Sequence, residues 1–175
     1  MATTSRDEAI GILEEGRGEL DGLFDRLSDD QASRPGTIGG GDWSAKDLVG
    51  HLETWEAIAL HTIEEWRDGV VPSIEDTFAK GSDGVDALNA ERWEAKLDLT
   101  PSEVRTQSAQ THRELIEEIR HMDDAEWASK AFYETERRQR LGELLAGVLG
   151  APKRPFGHAY AHLPDLRTYV ESADV

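Results

Sequence analysis

The stretch Gly41 to Glu56, "GDWSAKDLVGHLETWE", decides the fold. Ser44 stands just before an apolar-periodic run and can accept a hydrogen bond from a first-turn backbone N–H. Asp47, three residues on, sets a negative charge near the positive helix end. Leu48, Leu52, Trp55, Ala59, Thr62 and Trp66 recur at spacings of three and four and form one stripe. Glu53, Glu56, Glu64 and Arg67 fall away from it. The pattern predicts a core-facing helix from Ser44 to Asp68, with Gly69 as its stop. His51 alone is not explained. It lies ~60° from the stripe's centre on an ideal helix, at the edge where a side chain reaches an interhelical pocket and still meets water.

Similar patterns extend outward. Ser5 to about Ser28 reads as a helix, with Ala9, Leu13, Leu20, Leu23, Phe24 and Leu27 on one face. Ser33 to Asp42 reads as a glycine-rich loop, and Val70 to Asp86 as a long excursion with a proline and turn residues. A short helix is expected over Ala87–Leu97. Thr100-Pro101-Ser102-Glu103 is a capping box with proline at the first helical position, and it opens a helix that runs to about His121. The segment from Asp123 to Arg140 reads as a short helix followed by irregular chain. Further helices are expected over Leu141–Leu149 and Phe156–Ser172. Long strand patterns are missing. The reading is an all-α protein: a four-helix bundle with long connections and short extra helices, as one domain over residues 1–175.

Composition narrows the function. With 36 acidic and 19 basic residues the net charge is −17, spread along the chain. Such a surface repels phosphate backbones and anionic membranes, so neither nucleic acid nor membrane is expected as a partner. No apolar run approaches the ~18–20 residues of a membrane helix, and the N-terminus lacks a signal-peptide pattern, so a cytoplasmic location is expected. There is no cysteine. Disulfides, thiolate metal sites and cysteine nucleophiles are excluded, and any thiol chemistry must borrow its thiol from a small molecule.

The remaining histidines are then weighed. His158 and His162 stand four apart in "FGHAYAHLPDL", on one helical face beside the stripe of Ala159, Leu163, Leu166 and Val170. That spacing sets two imidazoles side by side, close enough for one ion to take a nitrogen from each. Asp165 falls near the same direction and could orient a ligand histidine or add an oxygen. Two readings stand at this point. Three edge-of-core histidines could hold a metal, or each could be a hydrogen-bonded core residue. His112 flanks the stripe of its own helix and could line the interior or simply pack. His61 and His121 project away from theirs. No nucleophile elbow, P-loop or dinucleotide fingerprint appears.

"WSAKDLVGHLETWE" resembles the second-helix signature of the DinB superfamily, through Trp43, Ser44, Asp47, Leu48, His51, Leu52 and Trp55. "GHAYAHL" is similar to the family's paired histidines on the last helix. Leu88-Asn89 and "SAQTHREL" (Ser108 to Leu115) resemble a colibactin self-resistance-like subgroup. The resemblance implies a four-helix bundle with a divalent ion, zinc or nickel, held by His51, His158 and His162. It implies a metal-dependent enzyme acting on a small-molecule electrophile, as a hydrolase or as a transferase or isomerase that uses a low-molecular-weight thiol. Within that reading Asp165 orients a ligand histidine, His112 or Tyr160 serves as acid or base, and a homodimer is expected. The alternative is a non-catalytic protein that sequesters a small molecule. Pro164 departs from the pattern: it removes the hydrogen bond to the Tyr160 carbonyl and is expected to kink the last helix.

Overall fold

A computed structural model describes residues 4–39, 41–135 and 140–173. Four long helices carry the architecture: α1 (Arg6–Phe24), α3 (Ala45–Arg67), α6 (Pro101–His121) and α9 (His158–Ala173). Helix α3 packs most extensively on α6, and α1 on α9; contacts of α1 with α6 and of α3 with α9 close the ring. Shorter helices fill the connections: α2 (Asp29–Ala32), α4 (Ile74–Ala79), α5 (Gly81–Glu94), α7 (Asp124–Trp127) and α8 (Leu141–Val148). Among the described residues there is no strand, only two isolated bridges. The four-helix bundle with short extra helices therefore stands. The expected irregular chain at residues 136–139 lies outside the described residues.

The expected caps are present and tighter than the sequence suggests. Ser44 Oγ accepts from the Asp47 backbone N–H (3.2 Å), and Asp47 Oδ2 accepts from the Ser44 backbone N–H (2.9 Å). Asp47 thus completes a capping box with a carboxylate one methylene shorter than the usual Glu. Burial works against its ionised form, but the Ser44 hydrogen bonds and Lys46 win and hold its carboxyl below the usual range. Thr100 and Glu103 form the same box at the start of α6.

Two apolar clusters fill the bundle. One joins Trp55, Ile63 and Trp66 of α3 to Leu115, Ile119 and the buried face of α8. The other joins Leu48 and Leu52 to Leu20, Phe24 and the Leu163, Leu166, Val170 face of α9. Burying each such side chain is worth about 1.5–3 kcal/mol.

Two expectations change. The excursion over Val70–Asp86 contains α4 and the start of α5, whose helical signal is masked by Gly81, Ser82 and Gly84. Gly81 reverses the chain at φ +64°, and a side chain on Gly84 would run into the Thr77 carbonyl, so both glycines build the corner between α4 and α5. Glu53 and Glu56 are half-buried, not solvated, because α5 and α6 cover flanks of α3 that its stripe leaves polar. Helix α9 continues across Pro164, which is exposed.

Candidate metal centre

The three histidines meet between the two apolar clusters. His51 sits in the second turn of α3, and His158 and His162 on successive turns at the start of α9. His51 Nε2 lies 3.0 Å from His158 Nε2, which lies 3.3 Å from His162 Nε2. One nitrogen from each ring falls within 4.8 Å of the other two. Ring planes of His51 stand nearly perpendicular to those of His158 and His162, so edges converge rather than faces.

Local structure fixes each ring. The capping box starts α3 seven residues before His51, and Trp43 covers its imidazole with centroids 4.9 Å apart. Lys96, from the chain after α5, donates to the Gly50 carbonyl (2.5 Å) and Thr54 Oγ1 (2.6 Å) and pairs with Glu53. That clamp holds the backbone beside His51. At the other side, the "LGAPKRPFG" stretch delivers His158. Ala151 and Arg154 exchange backbone hydrogen bonds in a tight turn, and the His158 N–H donates to the Leu149 carbonyl at 3.0 Å. Phe156 is fully buried, stacks on Trp127 and has φ +56°, a left-handed conformation costly for a side chain of its size. A side chain on Gly157 would collide with that of Arg154, so the turn before His158 requires glycine.

Burial, and then the neighbouring His158, His162 and Lys96, push the His51 imidazole down to about 2. Burial, and then His162, push His158 down to about 3. Burial lowers His162 as well, opposed by Asp165. All three rings are therefore neutral near pH 7, the form that ligates a metal. A neutral imidazole nitrogen is either donor or acceptor, so His158 Nε2 can hydrogen-bond only one of its two neighbours. A cation removes that conflict. Tetrahedral zinc with Zn–N bonds of ~2.0–2.1 Å needs nitrogens about 3.3–3.4 Å apart, close to the 3.0 and 3.3 Å of the two His158 pairs. The donor set is three imidazoles without a protein carboxylate, so the residues present fit a divalent ion with an open coordination position.

Other candidates fall elsewhere. Asp165 is exposed, makes no hydrogen bond to the three rings among the described residues, and acts on His162 through its charge. His112 is buried, and its Nδ1 pairs with Glu56 Oε1 at 2.8 Å. Glu56 and His158 together line a small cavity of about 30 Å³, lined otherwise mainly by aliphatic side chains of α1 and the α8–α9 turn. Tyr160 donates to Glu15 Oε2 (2.7 Å), and burial with that bond pushes its hydroxyl up to about 12. His61 and His121 are exposed, as their positions predict.

A larger cavity of about 370 Å³ opens directly over the three rings. His112, Asp165 and Tyr160 do not line it. Its walls include Phe78 and Val85, from the excursion read as turns, and Asn89, from the short helix expected over Ala87–Leu97. Ile74 and Phe78 at i and i+4 were the available signal for α4. Asn89 was singled out only through its resemblance.

The comparisons bear on the family and the fold. The model of the DinB superfamily matches residues 12–163. Among solved structures, an uncharacterised protein from Escherichia coli UTI89 superposes with a TM-score of 0.75 at 14% identity, over 98% of this chain and 96% of that one. ClbS, a colibactin self-resistance protein in complex with double-stranded DNA, gives 0.70 at 15%, over 100% and 99%. DfsB, a sibling lethal factor precursor, gives 0.60 at 16%, over 97% and 93%. At these identities the likeness is one of fold. No curated protein matches the chain.

One expectation is corrected. The net charge of −17 does not exclude a nucleic-acid partner, because a protein of this fold, ClbS, occurs bound to double-stranded DNA. Net charge sums the whole surface, whereas nucleic-acid contacts are local. For membranes the statement is narrower: among the described residues, no helix is long and apolar enough to cross one.

Proposed function

We propose, for a chain that belongs to the DinB superfamily, that His51, His158 and His162 hold a divalent ion, zinc or nickel, and that the protein is a metal-dependent enzyme. It acts on a small-molecule electrophile, as a hydrolase or as a transferase or isomerase that uses a small thiol. The carrying observation is the convergence of three neutral Nε2 atoms at the floor of a 370 Å³ cavity. An ion held by neutral imidazoles keeps its double charge and supplies Lewis acidity that makes water or a thiol nucleophilic near neutral pH.

The chain's own residues do the rest. Trp43 and Trp55 flank His51 and keep water from its ring faces. The cavity walls position the electrophile over the histidines. His112 pairs with Glu56 and is not among the residues that line the cavity. The chain offers no cysteine, so a thiol adduct must come from a cosubstrate.

A second reading has a specific observation behind it. The cavity walls hold aromatic and aliphatic side chains and no charged one, and a structural neighbour is a self-resistance protein, which fits sequestration without turnover. The two separate on incubating zinc- or nickel-loaded protein with epoxide and conjugated-enone electrophiles, with and without N-acetylcysteine. Metal-dependent product formation lost in His158→Ala supports the enzyme. Stoichiometric binding without product throughout contradicts it and leaves sequestration.

A further inference from the structure

The cavity over the three histidines has walls that select a ligand. Trp43, Trp55 and Phe78 give it aromatic faces, and Val85 and Val148 aliphatic ones. None of its lining residues is Asp, Glu, Lys or Arg, in a chain whose charged content is 31%. Trp55 and Phe78 stack nearly parallel, at 11° with centroids 6.4 Å apart, and form an aromatic panel. The Trp55 indole also stands edge-on to His51 and His158, so the panel abuts the histidine group.

The polar groups on the lining side chains are the three imidazoles, the indole N–H groups of Trp43 and Trp55, and the one side-chain amide, that of Asn89. The Trp55 Nε1–H donates to Asn89 Oδ1 at 3.1 Å. An indole N–H can only donate, so the oxygen of the amide must face it. The Asn89 NH2 group is thereby turned away from Trp55, and it has no partner among the described residues. Two N–H donors are left on a side chain that lines this cavity and also the neighbouring one beside Arg92 and Lys96, with the amide fixed by the Trp55 indole.

We infer that this cavity binds uncharged, flat, conjugated molecules that carry a carbonyl oxygen or ring nitrogen on their rim, with Asn89 Nδ2 donating to that acceptor. The walls hold no charged side chain to pair with an anion or a cation, so either would be buried there without a counter-charge from the walls. A cation is repelled by the doubly charged ion proposed below it. A planar π system is accepted by the Trp55–Phe78 panel. The volume suits a molecule of two or three fused rings. Asn89 is a specificity residue in this account: it tells a carbonyl compound from a hydrocarbon of the same shape, because an unmatched donor loses its hydrogen bond to water on binding. As a substrate class this rests on the enzymatic reading above; as a binding site it stands without the metal.

Two probes test it: 2-acetonaphthone and 2-ethylnaphthalene, which share a ring system and differ in the carbonyl. Binding is read by tryptophan quenching on the full chain, both zinc-loaded and chelator-treated. The expected result is tighter binding of the ketone by about tenfold in both forms. Asn89→Leu abolishes that preference while hydrocarbon binding persists, which shows the cavity intact. Trp55→Phe keeps the aromatic panel, frees the Asn89 amide to rotate and shrinks the preference. Equal binding of the two probes by the wild type overturns the inference, as does a preference that survives Asn89→Leu, or no binding of either. A ketone preference in chelator-treated protein that takes up no metal upholds the site and sinks only the metal reading. Stoichiometric metal with no probe bound does the reverse.

Discussion

The pairing of His112 with Glu56 makes a quantitative prediction. The two side chains are 11% and 13% exposed and meet at 2.8 Å. The second oxygen of Glu56 is buried without a partner, so His112 supplies the one protein hydrogen bond to this carboxylate. His112→Leu leaves a buried carboxylate with none. The expected loss is about 3–5 kcal/mol, the cost of breaking one side of a buried pair. Glu56→Leu leaves only an imidazole N–H unmatched, for about 1–3 kcal/mol. Replacing both by leucine removes both desolvation penalties and fills the space with apolar volume, so the double variant is expected within about 1 kcal/mol of wild type. The singles then overshoot the double by at least ~3 kcal/mol, a strongly coupled cycle. Urea unfolding followed by circular dichroism, with chelator present to remove any contribution from metal, measures all four proteins. A His112→Leu loss under about 1 kcal/mol, or a double variant that costs the sum of the singles, would refute the reasoning.

Other predictions follow from single features. Ser44→Ala removes the cap of α3 and one partner of the half-buried Asp47, for a loss of about 1–2 kcal/mol in urea unfolding; no change would mean the box is idle. Gly142→Ala brings a methyl to within 2.5 Å of the Trp127 ring, which stacks on Phe156. It is expected to cost about 1–3 kcal/mol by overpacking, and a neutral thermal midpoint would contradict that. Chelator-treated protein should lose stability as pH falls below about 6.5. Folded His51 and His158 stay neutral down to about 2 and about 3, whereas the unfolded chain takes up protons at about 6.5. The unfolded state then binds more protons, so each ring adds a slope of about 1.4 kcal/mol per pH unit below 6.5. A urea midpoint flat between pH 7 and 5 would rule this out.

The fold was legible because α3 and α6 carry stripes with caps at their starts, and both signals are local. The ligand candidates were legible for the same reason: His51 at a stripe's edge, and His158 and His162 one turn apart. Their meeting was not, because it depends on the height at which α9 docks on α3. That height is set by the tight turn at Ala151–Arg154, the buried left-handed Phe156 and the N–H of His158 on Leu149, none of which has a periodic signature. The Glu56–His112 pair was missed because it spans two helices, and a glutamate off an apolar stripe reads as solvated until a second helix covers it. The cavity's outer wall was missed because Gly81 and Gly84 look like loop residues when they serve the corner between α4 and α5.

The most direct test of the account is elemental analysis of the protein purified without chelators or added metal, then again after incubation with zinc or nickel and desalting. The account predicts about one divalent ion per chain, falling well below that in His51→Ala, His158→Ala and His162→Ala variants that retain the helical spectrum. Wild-type protein that retains no ion after loading, or single-histidine variants that retain as much as the wild type, would contradict it.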